Sequence, residues 1–330
     1  MERGLFMNIY SDVVGFNYHP SYAYNSYEEW RFFDSDVIDR EIGLGKEYFP
    51  KMNTIRLWLS YEAFRYEEDR QAKNFETALS ICDKHGCMVV VCLFNCWHDS
   101  VMDNGGIYHP MMIPGSIWCA EANMYDSFFR KMVAPHKDDD RILIWDICNE
   151  PYSFGGNAEY QAFIEPYETA WLKKMCDMCH GCGVTQPIGI GHYAQGMSMK
   201  LHEKTADFVD VFLVHPYYFY SDKDVETLTD EGFDTLLGKY LELSAKYNKP
   251  VLSTETCWGS RKDSVRVEII ERTLRAHKKA EIGYIAHALY WSHFADLHDD
   301  DEGPLNFPGN LMFITRDGRI RPGHEIFNKF

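Results

Sequence analysis

Arg141-Ile142-Leu143-Ile144-Trp145-Asp146-Ile147-Cys148-Asn149-Glu150-Pro151 is an apolar, β-branched run that ends in polar groups and a proline. The run reads as a strand, and its proline cannot donate to a ladder. It therefore predicts a buried strand over 141–149 that ends just before Pro151. Similar short runs occur at 13–18, 53–60, 87–94, 186–193, 211–217, 250–256 and 282–291. Between them, stretches such as Asp69 to His85, Glu159 to Cys179, Glu231 to Tyr247 and Ser264 to Ala280 repeat apolar residues at three and four positions, the helical period. Strands buried on both faces and separated by amphipathic helices belong to a parallel sheet. Eight of them in strict alternation predict an α/β fold of the (β/α)8 TIM-barrel type. An open doubly wound sheet is the alternative, but no Gly-rich phosphate loop follows the first strand. No Pro/Gly/Ser linker, repeat or low-complexity run interrupts the pattern, so 1–330 reads as a single catalytic domain.

Composition narrows the class. Hydrophobic residues make up 45% of the 330, enough for a sizeable core, and no apolar stretch approaches the length of a bilayer span. The formal charge of −17, from 50 acidic and 33 basic residues, argues against nucleic acid or an anionic membrane as partner. Residues 1–10 have neither the apolar core nor the cleavage site of a signal peptide, which gives a cytoplasmic expectation. The ten cysteines, several within strand-like runs (Cys92, Cys148, Cys257), then read as reduced, packed thiols. Cys176-Asp177-Met178-Cys179-His180 spells a haem-attachment pattern, with Cys182 nearby. It falls at the end of a helical stretch in a chain with no export signal, so neither haem nor zinc is expected, and no cofactor is predicted.

The strand ends carry the chemistry. Glu150 closes the opening run, and Glu255 lies in a second one, Pro250-Val251-Leu252-Ser253-Thr254-Glu255-Thr256-Cys257-Trp258. Two such carboxyls are what glycoside hydrolysis needs: one protonates the leaving oxygen while the other attacks or activates water. Period-two alternation puts Thr54, Arg56 and Trp58 inside the barrel, with Ile55, Leu57 and Leu59 against the helices. A buried Arg56 would hold a neighbouring glutamate ionised. The same alternation puts Ser253 and Glu255 on one face with Leu252 and Thr254 on the other, making Glu255 the nucleophile candidate. Glu150, at the rim, is the acid/base candidate. His215 and Tyr217 share a face of the sixth strand and could orient Glu255 and a sugar hydroxyl. His98, Trp258 and Trp291 would line the same mouth. Two long connections, Asn95 to Trp118 and Phe294 to Phe313, should rise from the catalytic face and wall off part of a cleft. The second contains Asp299-Asp300-Asp301-Glu302.

These residues together resemble glycoside hydrolase family 5 and its clan of retaining (β/α)8 glycosidases. Asn149-Glu150-Pro151 is similar to the family's acid/base signature on strand 4. Arg56, His98, the pair His215 and Tyr217, Glu255 and Trp291 fall in the family's strand order. The resemblance implies Glu150 as acid/base, Glu255 as nucleophile, Asn149 on the sugar 2-hydroxyl and Trp291 as a sugar platform, with a β-linked gluco-, manno- or xylo-configured oligosaccharide as partner. Thr256-Cys257-Trp258 after Glu255 departs from the small residue and Gly common there. Two rivals share the architecture: a metal-dependent sugar isomerase using Glu150, Glu255, His98, His192 and His215, and a catalytically silent sugar-binding barrel.

Overall fold

The computed structural model describes residues 8–97, 104–116, 119, 123–153, 157–193, 197–218, 229–297 and 310–330. Eight strands close into a barrel in chain order: β1 (Val14–Asn17), β2 (Thr54–Trp58), β3 (Met88–Asn95), β4 (Ile142–Asn149), β5 (Ile188–Tyr193), β6 (Val211–His215), β7 (Val251–Thr256) and β8 (Tyr284–Ala286). Every neighbouring pair is parallel, β8 back to β1 included. The predicted helices fall at Glu68–Lys84, Ala158–Gly181, Asp230–Tyr247 and Asp263–Ala280, and Ser35–Tyr48 covers the first crossover. His98, Asp299 to Glu302 and much of the two long connections lie outside the described residues.

Each strand is buried on both faces. Outward residues such as Ile55, Leu57, Val89, Val91 and Leu93 join the large core shared with the helices. Inward ones form a separate floor of Tyr10, Val13, Val90, Ile144, Val211, Leu213, Leu252 and Ile285. This apolar plug closes the bottom of the barrel and leaves polar side chains to the upper layers. The tail returns along the side, where Phe327 of the short helix His324–Lys329 stacks on Phe16 with centroids 4.5 Å apart.

Two expectations change. The last strand ends at Ala286 rather than 291, because the chain beyond pairs elsewhere. The Ala288 N–H donates to Leu311 O, and the Ile314 N–H to Leu289 O, so a return segment takes part of the pairing a longer strand would have made, while the Leu289 N–H still donates to Asn17 O of β1. On β7 the alternation is also reversed over its first half. Leu252 belongs to the inner floor, and the inward Thr254 lies with its Oγ1 3.1 Å from His215 Nε2. An extra residue restores Glu255 to the interior: Ser253 pairs with Tyr284 and Thr256 with Ala286, three residues against two. Such a bulge re-aims the side chain that follows it.

β5 brings almost no side chain inward. A Cβ added at Gly189 would sit 2.6 Å from Leu213 Cγ, inside the floor. Gly189→Ala should therefore overpack the barrel and cost roughly 1–3 kcal/mol, read as a lower urea midpoint. An unchanged midpoint would show a loosely packed floor.

Candidate active site

At the C-terminal ends of the strands the polar side chains converge on Arg56, which is fully buried. Its Nε and Nη2 donate to Asp146 Oδ2 at 3.0 and 2.7 Å, and Nη2 also donates to Asn149 Oδ1 at 2.9 Å. Nη1 donates to Asn17 Oδ1 at 3.0 Å and to Glu255 Oε1 at 2.5 Å. All five guanidinium N–H groups are thus used, on side chains from β1, β4 and β7. Gly191 makes room for this: a Cβ there would lie 2.9 Å from His215 Nε2 and 3.3 Å from Arg56 Nη2.

The other oxygen of Glu255 faces donors. Tyr217 donates to Oε2 at 2.7 Å, His215 Nδ1 is 3.5 Å away and His287 Nδ1 3.6 Å. Burial alone would push this carboxyl up. The charges of His215 and Arg56 and the nearby His287 imidazole outweigh it and hold Glu255 well below the ordinary carboxylate range. Burial likewise pushes Asp146 up, and Arg56 pulls it back in part.

Glu150 stands across from Glu255. A second extra residue, on β4 between Asp146 and Asn149, turns Asn149 inward and delivers Glu150 to the rim. Its Oε1 is 2.7 Å from His215 Nδ1. One carboxylate oxygen from each glutamate and a His215 nitrogen all lie within 4.8 Å of one another.

The remaining sequence candidates lie as follows. Asn149 bridges Arg56 and Asn95, donating to Asn95 Oδ1 at 2.9 Å. Trp258 packs edge-on against Tyr217, centroids 5.0 Å apart. Trp291 lies five residues beyond β8, with the Arg316 guanidinium 4.5 Å over its ring and His293 at 4.9 Å. His192, a ligand candidate of the isomerase reading, instead bonds Thr205 Oγ1 through Nε2 at 2.9 Å and stacks near Tyr152. Cys176 and Cys179 are buried, while the exposed His180 reaches Asp210 at 3.2 Å.

The sequence reading missed Asn17, Asp146, Asn95 and His287. Asp146 carried a signal, since an acid amid Ile144, Trp145 and Ile147 demands a buried partner. His287 had none, because β8 looked continuous through it. His19 was also missed. Its ring stacks on Phe294 at 4.1 Å and meets Trp58 edge-on at 4.9 Å, and its Nδ1 lies 3.3 Å from the buried Glu29. The buried Arg266 holds this side of the barrel together. It donates to the carbonyls of Cys257, Trp258, His287 and Leu311, and burial lowers it to about 9.

A parallel eight-stranded barrel with a charge-pinned glutamate and a second glutamate facing it at the strand ends defines the class of barrel glycosidases. Residues 50–293 match the family model described as Cellulase (glycosyl hydrolase family 5), and the chain belongs to that family. That family is one of O-glycoside hydrolases. No curated protein sequence matches it. Among solved structures it is similar to an exo-β-1,4-mannosidase from Opitutaceae bacterium strain TAV5, with 18% identity, TM-score 0.67, and coverage of 96% of this chain but 58% of that one. A GH5_18 enzyme from Streptomyces cattleya in complex with Manβ1-4GlcNAc gives 16% identity, TM-score 0.71 and coverage of 96% and 80%. A family 5 lichenase mutant from Caldicellulosiruptor sp. F32 with cellotetraose gives 16%, 0.64, and 96% and 92%. No helix among the described residues is long and apolar enough to cross a membrane.

Arg56 neutralises two buried carboxyls, so Arg56→Met should cost roughly 3–5 kcal/mol at neutral pH. In the parent, Glu255 has a folded-state value below its unfolded one. It adds stability above the unfolded carboxylate range and loses it as pH falls through the folded value. In the variant the freed carboxyls can discharge by taking protons. Urea unfolding should therefore show a gap between the two proteins that narrows toward acid pH. A gap independent of pH would contradict the electrostatic role.

Proposed function

We propose that the chain is a retaining hydrolase of β-linked oligosaccharides, gluco-, manno- or xylo-configured, with Glu255 as nucleophile and Glu150 as general acid and base. The observation that carries this is the spacing. A Glu150 oxygen and a Glu255 oxygen approach within 4.8 Å. Carboxyl groups about 5–5.5 Å apart suit double displacement, whereas inversion needs about 6.5–9.5 Å to admit a water. In the first step a Glu255 oxygen attacks the anomeric carbon, and the bond to the leaving oxygen breaks as that oxygen takes the Glu150 proton. In the second, water attacks the same carbon, Glu150 takes its proton, and the bond to Glu255 breaks. Arg56, Tyr217 and His287 keep Glu255 ionised for the attack, and His215 orients Glu150. Asn149 is held for a sugar hydroxyl by Arg56 and Asn95.

The metal-dependent reading draws on the same three groups, Glu150, His215 and Glu255. The fixed positive charge of Arg56, 2.5 Å from Glu255 Oε1, already neutralises the carboxylate that a divalent cation would otherwise neutralise. Full activity in a chelator supports the acid/base reading, and its loss would overturn that reading. We take 1–330 as one catalytic domain. We also place it in the cytoplasm, a reading supported by ten unbridged cysteines, eight of them buried. Recovery of the native protein from the medium would contradict that.

Glu255→Ala should abolish turnover with the fold intact, and azide should restore it with inverted configuration at the anomeric carbon. A 2-fluoro glycosyl reagent should label Glu255 in the parent, and a label elsewhere overturns the assignment. Glu150→Ala should depress kcat/KM by about 10²–10⁴-fold on poor leaving groups and far less on activated aryl glycosides. Equal loss across both series would remove Glu150 from the acid role.

A further inference from the structure

The turn that carries Glu150 is strained. Glu150 and Tyr152 both have left-handed backbone, φ 45° and 65°, with Pro151 between them. Each such residue is strained, and two in three positions persist only where the surroundings fix them. On one side the Glu150 N–H donates to Gly191 O at 2.8 Å. Pro151 has no N–H to offer. On the other side the Tyr152 N–H donates to Glu168 Oε1 at 2.8 Å. Glu168 lies on the helix Ala158–Gly181, which follows β4, and is fully buried. The Tyr152 and Thr169 hydroxyls are 2.9 Å apart, so two consecutive helix residues grip Tyr152 at its backbone and at the end of its ring.

Glu168 is a costly choice for this task. Its Oε2 is buried without a hydrogen-bond partner among the described residues, and burial pushes the carboxyl up to about 7. A half-satisfied buried carboxyl is a poor way to stabilise a fold. We propose that Glu168 is a positioning residue for Glu150: by holding the Tyr152 N–H it fixes the left-handed turn, and with it the place of the Glu150 carboxyl relative to the leaving-group oxygen. The inference rests on the acid role of Glu150. It predicts that loss of Glu168 weakens proton donation selectively, leaving attack by Glu255 in place.

The test compares the parent, Glu150→Ala, Glu168→Leu and Glu168→Gln on aryl β-glycosides whose leaving groups run from activated to poor. Glu168→Leu should lose about tenfold in kcat/KM on poor leaving groups and less than about twofold on the most activated, a muted copy of the Glu150→Ala profile. Glu168→Gln keeps an acceptor for the Tyr152 N–H and should recover most of the loss. A uniform loss, or none, in Glu168→Leu beside a leaving-group-dependent Glu150→Ala overturns this inference alone. A Glu150→Ala profile that is itself flat overturns the acid reading and this inference together. Should Glu168→Leu fail to fold, Glu168→Asn, too short to reach the Tyr152 N–H, gives the same reading of the same profiles.

Discussion

One buried guanidinium organises the site. Arg56 spends all five N–H groups on Asp146, Asn17, Asn149 and Glu255, and it does so beneath the mouth of the barrel where little water reaches. A bare charge there would cost several kcal/mol. Asp146 and Glu255 make it tolerable, and the guanidinium makes them tolerable in turn. The consequence for chemistry is asymmetry between the two glutamates. Glu255 is bound to the fixed charge, whereas the Glu150 carboxylate lies 2.7 Å from the imidazole of His215 and has no ion pair to Arg56 among the described residues. Two carboxyls a few ångströms apart can take different parts because only one is tied to a permanent cation.

The barrel achieves this by breaking the periodicity of β4 and β7 near the site. With strict alternation, an inward Asp146 would be followed by an inward Cys148, and an inward Thr254 by an inward Thr256. One extra residue on β4 and another on β7 reverse the facing just above the apolar floor, so that Asn149 and Glu255 turn in. Leu252 and Ile144 then serve the floor and residues further along the same strands serve the site. Packing below and polarity above are thus reconciled within single strands.

This explains what could be read from the sequence. Eight apolar runs alternating with helical ones were legible because burial on both faces leaves an unmistakable composition, and Arg56 and His215 were legible because β2 and β6 keep their period; Tyr217 lies two residues beyond the end of β6 but still reaches Glu255. Glu255 was assigned inward correctly, but by an alternation that also put Leu252 outside. A bulge leaves no mark in composition, so the two errors cancelled at the residue that mattered. β8 was overextended for a related reason: Ala288 to Trp291 are as apolar as a strand, and only the distant return segment from Leu311 decides that they pair with it. His192 looked like a ligand until Thr205, on the following short helix, claimed its ring.

In the proposed mechanism the Arg56-bound Glu255 and the nearby Glu150 work as a close pair by double displacement. The anomeric configuration of the first-formed product tests it most directly. Proton NMR during hydrolysis of an aryl β-glycoside, recorded faster than mutarotation, should show the β-anomer appearing first and the α-anomer only afterwards. Initial formation of the α-anomer would mean single displacement by water and would contradict the pairing of the two carboxylates described above.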